Sequence, residues 1–227
     1  MKIKNKLLLF FLLLGMLPLL LLGTVSYLSA NKALKKQADA QFNNTLELIS
    51  VMIDSQTAKI YQTAQSIAVD AELFTLLSRR DETTGIEQAE GETEILIQLM
   101  NVRRQVPEIR SIFIVPERGE TIYSGIPTGF EHSYFRKTFR DAPLFARIRN
   151  ETTLPVWMTG VENYFDRIYL FLRLQNMITG ENLGVLVISL DETFISSMFG
   201  KALTGGDAEI FLTNGNGQVI SSWPETV

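Results

Sequence analysis

The sequence predicts an α+β fold: an N-terminal transmembrane helix and a long helix, packed on a small antiparallel sheet. Three observations predict it. Residues 7–31 carry no charge and are almost all Leu and Phe up to Leu22. Residues 31–79 contain no glycine or proline and keep one apolar helical stripe. After Pro107 the pattern changes to short β-branched and aromatic runs separated by turn residues.

The apolar segment is long enough to cross a bilayer, which takes roughly 20 residues. Lys2, Lys4 and Lys6 precede it, Tyr27 takes an interfacial position, and Pro18 is tolerable within it. A cleaved signal peptide competes with this reading. Its apolar core would be shorter, about 7–15 residues, and Leu28-Ser29-Ala30 is a poor cleavage site. The reading is therefore an uncleaved anchor over 7–30, behind a short N-terminus at 1–6. Lys32, Lys35 and Lys36 follow the segment, so the lysine bias alone barely orients it.

The next segment, 31–79, reads as a stalk or dimerisation helix. Phe42, Leu46, Ile49, Ile53, Ile60 and Ile67 alternate by fours and threes, with Gln56 and Thr63 at the missing seam positions. Its first half suits a partner helix and its second half a sheet. A continuous helix would be roughly 70 Å long, and Asp70 has the character of an N-cap, so the helix is expected to break there. A polar loop over 81–91 leads to a helix over 92–105, with Ile95, Leu96, Leu99 and Val102 on one face, stopped by Pro107.

Strands are expected at 109–115 and 121–124, joined by the turn Pro116-Glu117-Arg118-Gly119. A mixed insertion follows to Asn150, with a short helix starting near Pro143. Further strands are expected at 154–159, 167–174 and 184–190. The last is apolar on both faces and therefore central. Asp191 caps a helix to Phe199. In the strand from Arg167, Ile168, Leu170, Leu172 and Leu174 form a dry face toward the long helix. Arg167, Tyr169, Phe171 and Arg173 form a face of aromatics and cations, which suits a pocket. A last hairpin, 208–212 and 218–222, turns at Asn214-Gly215-Asn216-Gly217.

Composition excludes several functions. There is no cysteine, hence no disulfide or thiolate site, and His132 is the one histidine, so a zinc site would need mostly carboxylates. A net charge of −4 argues against nucleic acid. Gly205-Gly206 and the Asn-Gly turn are too short for phosphate loops, no Ser/His/Asp set can be built, and no cofactor is expected.

The chain resembles the double-Cache, PAS-like extracellular sensor region of YesM-type sensor histidine kinases. The Lys-flanked Leu-rich start runs into Leu-Gly-Thr-Val-Ser-Tyr (22–27). Ile109-Arg110-Ser111-Ile112-Phe113-Ile114-Val115 leads into Ile122-Tyr123-Ser124-Gly125. Leu172-Arg173 is followed by Thr179-Gly180 and Leu183-Gly184-Val185-Leu186-Val187-Ile188. The order and spacing of these motifs carry the resemblance over nearly the whole chain.

The resemblance implies a cytoplasmic N-terminus, with residues 31–227 outside the cell membrane. It implies a membrane-distal Cache sensor over 80–199 and, at 200–227, the truncated start of a membrane-proximal module. It implies a signal-transduction receptor whose kinase domain is absent from this chain, so no catalytic residue is expected here. Chemoreceptors and cyclic-di-GMP synthases carry similar sensors, and a membrane-anchored structural protein that oligomerises through the long helix is the competing class. By position in the family, a ligand would be lined by Tyr123, Tyr134, Arg136, Trp157, Tyr169, Phe171 and Arg173. The alternative assigns Trp157 and Phe171 to the core and pairs Arg173 with Glu162 or Asp166. No Trp-Tyr pair stands where amino-acid-binding members have one. The partners implied are a small-molecule ligand or a ligand-carrying binding protein outside the cell, the membrane, and a second copy through residues 31–79.

Overall fold

The computed structural model describes residues 3–79, 85–151, 155–161, 164–176, 179–191, 193–202, 210–213 and 219–223. Residues 81–84 of the expected loop, Gly205-Gly206, the turn at 214–217 and Glu162 lie outside the described residues. The chain forms two compact units, one up to Ser50 and one from Val51.

The first unit is helical throughout its described residues. Helix α1 (Ile3–Ala68) begins here, and its apolar part is long enough to cross a membrane. Its described apolar side chains from Phe10 on are exposed, as are Phe42 and Leu46 farther along. α1 runs through the expected junction at residue 30 without a break.

The second unit opens on the rest of α1, where Ile60, Ala64 and Ile67 lie on one helical face and are buried. The helix ends at Ala68 rather than continuing to 79. The Asp70 carboxylate accepts from the amides of Glu72 (2.9 Å) and Leu73 (3.0 Å), which starts α2 (Ala71–Arg79) as a separate helix. α3 (Ile86–Gln105) begins six residues before the expected start at Glu92. Glu87, Ala89 and Glu90 are strong helix formers and carry the helix through Gly91.

Strands β1 (Ile109–Pro116), β2 (Ile122–Gly125), β3 (Val156–Val161), β4 (Tyr164–Gln175) and β5 (Asn182–Asp191) form one antiparallel sheet in the order β2-β1-β5-β4-β3. β5 is central, as its two-faced apolar pattern requires, and eight of its residues, Leu183–Leu190, are buried. Between β2 and β3 lie α4 (Gly129–Ser133), a π-turn (Tyr134–Thr138), a 3-10 turn (Phe139–Asp141) and α5 (Pro143–Glu151). Pro143 stands first in α5, where its missing N–H is not needed. α6 (Thr193–Ala202) follows β5, and β6 (Ile210–Thr213) pairs with β7 (Val219–Trp223) in a separate two-stranded sheet.

The sheet is buried on both faces. Ile112, Ile114, Leu170, Leu174, Leu186, Ile188 and Leu190 fill one face. α2 and α3 touch β5 and β1, and their Leu73, Phe74, Leu77, Ile95 and Leu99 are buried. Leu96 and Val102 are only half-buried, so the inner face of α3 is narrower than its sequence predicts. Lys59 pairs with Glu108 at 3.7 Å, at the entry to β1.

Candidate functional site

The other face of the sheet carries the candidate site. The strand register sets its side chains in two cross-sheet rows. One is bulky: Tyr123, Phe113, Val187, Phe171, Val156. The next is smaller and more polar: Gly125, Ser111, Ser189, Tyr169, Met158. Gly125 has φ +123°, and a Cβ there would run into the Arg110 carbonyl and stand 2.7 Å from Ser111 Cα. A bulge at Gly160 (φ +74°) lets Val161 join Val156 and Met158 on this face.

The inserted segment covers the bulky row with aromatics. The Phe135 ring is 4.7 Å from Phe113, 5.2 Å from Phe139 and 5.7 Å from Tyr169, centroid to centroid. Phe139 lies 5.6 Å from Phe171 and 5.5 Å from Phe145. Tyr169, Phe171 and Phe139 have 0% exposure, which leaves no water-sized space against them.

Above the polar row sits Glu131, a fully buried carboxylate. One oxygen accepts from the Thr128 amide at 2.7 Å, while the Thr128 hydroxyl accepts from the Glu131 amide at 3.1 Å, closing a capping box on α4. The other oxygen accepts from the Ser189 hydroxyl. Glu131 thus ties the first turn of the insertion to the central strand. Burial of this carboxylate is tolerable because both oxygens are hydrogen-bonded. Ser111, the register partner of Ser189, is equally buried, but its hydroxyl has no partner among the described residues.

The rim is fastened by cations. Arg140 donates to the carbonyls of Pro116 (3.1 Å) and Gly119. Arg149 pairs with Glu117 at 2.9 Å and Arg136 with Glu120 at 3.1 Å. The Thr121 hydroxyl donates to the Phe135 carbonyl at 2.9 Å. Three arginines of the insertion therefore hold the single turn between β1 and β2. Farther along, Arg167 pairs with Asp191 at 2.9 Å. Burial pushes the Asp191 carboxyl up, but the Thr193 hydroxyl and amide and the Arg167 guanidinium outweigh it and hold the group below its ordinary value.

These contacts place the seven residues singled out from the sequence. Tyr123, Tyr134, Tyr169 and Phe171 meet around one aromatic cluster, where Tyr134, Tyr169 and Phe171 are buried and Tyr123 is half-buried. Arg136 is exposed at the rim and donates to His132 Nε2 at 3.3 Å, and the His132 ring stands edge-on to Tyr123 at 5.2 Å. Arg173 is half-buried and donates to Gln175 and to the Arg149 carbonyl (3.4 Å). Trp157 does not join them. It pairs with Leu170, so it lies on the helix-covered face, opposite Val156 and Met158. Sequence reasoning missed Glu131 and Ser189, although Thr128-x-x-Glu131 is a readable capping-box pattern. Among the described residues no group of acidic or histidine side chains could hold a metal.

No protein-family model matches the chain, and no curated protein matches it in sequence. Its fold is similar to solved structures. The sensor domain of the Vibrio cholerae histidine kinase DctB is 17% identical, with a TM-score of 0.57, over 84% of this chain and 67% of that one. The periplasmic domain of Vibrio cholerae LuxQ is 14% identical, with a TM-score of 0.51, over 79% of this chain and 77% of that one. At such identities the likeness is one of fold: this chain shares the α+β fold of those two domains.

Proposed function

We propose that this chain is the ligand-sensing, membrane-anchored, extracytoplasmic region of a bacterial signal-transduction receptor, foremost a two-component sensor histidine kinase, and that it performs no catalytic step itself. The likeness of its fold to the DctB sensor domain carries the reading. The exposed apolar helix near the N-terminus supports the anchor, and the resemblance favours the N-terminus as its cytoplasmic side. A chemoreceptor or a cyclic-di-GMP synthase would use the same sensor and differ only in output.

The packed aromatic cluster defines what sensing would require. A small molecule reaches the sheet only if the insertion 129–151 moves and Phe135 leaves Phe113 and Tyr169. That displacement breaks the Glu131–Ser189 and Thr121–Phe135 hydrogen bonds and loosens the three arginines. A ligand, or a binding protein that carries one, drives the change only as far as it binds the displaced state better. Exposed Phe42 and Leu46 favour a second reading, an assembly protein that dimerises through α1.

Two measurements test the proposal, one in cells and one on the detergent-purified chain. A periplasmic reporter fused after Ala202 should be active in cells. A panel of carboxylates, amino acids and sugars should contain a compound that raises the melting midpoint, and Arg173→Ala should abolish that rise. An inactive reporter removes the topology. An undiminished rise in Arg173→Ala removes Arg173 from the site.

A further inference from the structure

α3 carries two apolar stripes, and the domain uses one. Ile95 and Leu99 face inward and are buried. On the outer side Ile86, Ala89, Thr93, Ile97 and Met100 follow one another at spacings of 3, 4, 4 and 3, the rhythm of a helix seam. Ile86 is 78%, Ile97 53% and Met100 40% exposed. With α2 this side forms an open groove of about 750 Å³. Ile86, Ala89, Thr93 and Ile97 of the stripe line it, with Gln98 beside them. Its rim is Glu72, Glu90 and Glu94, and among the described residues no lysine, arginine or histidine lines it. None of these three carboxylates pairs with a cation among the described residues.

We propose that this outer face of α3 docks a basic amphipathic helix of an extracytoplasmic partner protein. The proposal rests on the sensor reading above and names a partner for it. Apolar residues at helical spacing select a helix as occupant. The rim selects its flanks: a neutral or acidic helix would bury glutamates unpaired, whereas lysines or arginines would pair with them. A second copy of α3 fits poorly. Seated about Thr93 in parallel, it sets Glu90 and Glu94 against their own counterparts, and seated antiparallel it sets Glu94 against Glu92. An anionic membrane surface is repelled by the same rim.

The test uses the full chain in a neutral detergent and a labelled 18-residue Leu/Lys helical peptide with leucines at i, i+3, i+4 and i+7. A Leu/Glu peptide of the same pattern is the comparison. The Leu/Lys peptide should bind, and more weakly as salt rises. Ile97→Asp and the pair Glu90→Lys, Glu94→Lys should each weaken it by about tenfold or more, and the charge-reversed pair should gain the Leu/Glu peptide. Ile97 is half exposed, so Ile97→Asp should keep the parent melting midpoint, which separates lost docking from lost folding. Equal binding to parent and both variants would overturn the proposal. So would a fall in the chain's own oligomeric mass in Ile97→Asp, which would put a second copy on the stripe. Neither result bears on the sensor reading, which is tested by topology and ligand response.

Discussion

The two faces of the sheet differ in how they are held. The helix-covered face is aliphatic and regular: Ile112, Ile114, Leu170, Leu186 and Ile188 are fully buried, and their packing needs no polar partner. The opposite face is covered by three kinds of helical turn in thirteen residues, Gly129–Asp141, followed by α5. Beside its aromatic packing it is fixed by individual contacts: one buried carboxylate, one buried hydroxyl and three arginines on a turn. Dispersion spread over many aliphatic contacts gives way gradually. A cover fastened by a few directional bonds has two arrangements, fastened and released. On the sensing proposal above, the aromatic face is the side expected to open, against the aliphatic face.

The strongest way to break that comparison is to empty one face at a time. Phe135→Ala should cost about 3–5 kcal/mol, and Leu170→Ala about 2–5 kcal/mol. The distinction lies in hydrogen exchange. Phe135→Ala should deprotect residues 129–151 ahead of the sheet, whereas Leu170→Ala should deprotect sheet and insertion together. Identical patterns would mean that the two faces form one cooperative unit.

Much of this contrast is legible in the sequence. Alternation along Arg167–Leu174 separates the two faces of β4, the two-faced run Gly184–Leu190 marks the centre of the sheet, and Asp70 marks a helix break. Three things are not legible. Trp157 alternates with Val156 and Met158, but only its pairing with Leu170 says which face it takes. Tyr169 and Phe171 suit a pocket wall as well as a core. Phe135 and Phe139 pack against them, and that approach depends on a π-turn and a 3-10 turn that have no periodic signature. Glu131 reaches Ser189 across 58 residues of sequence, a distance at which local pattern says nothing.

Glu131 gives the next largest effect. Glu131→Ala leaves the buried Ser189 hydroxyl and the half-buried Thr128 amide without their acceptor and should cost about 2–3 kcal/mol. Glu131→Gln keeps one acceptor and should cost about half as much. Chemical denaturation of both variants measures the difference. Equal losses would mean that the side chain acts through its volume and not through its two hydrogen bonds.

Asp191 extends the comparison to pH. Its carboxyl is held below its ordinary value in the folded chain, so it adds stability above the usual carboxylate range and loses it as pH falls through that range. Asp191→Ala should cost about 0.5–2 kcal/mol at neutral pH, the usual cost of losing an N-cap. The gap between the two proteins should close toward pH 3. A gap that persists in acid would assign Asp191 a purely steric role.

The smallest effects make the sharpest pair. Ser111 and Ser189 are register partners on adjacent strands, alike in residue type and in complete burial. They differ in one bond: the Ser189 hydroxyl reaches Glu131, and the Ser111 hydroxyl has no partner among the described residues. Ser189→Ala should cost about 1 kcal/mol, because it strips a donor from a buried carboxylate. Ser111→Ala removes a hydroxyl that is desolvated without return, so it should be neutral or slightly stabilising. A loss in Ser111→Ala as large as that in Ser189→Ala would give Ser111 a bonded partner in solution. The polar row would then carry a second fastening beside Glu131, and release of the insertion would have to break both.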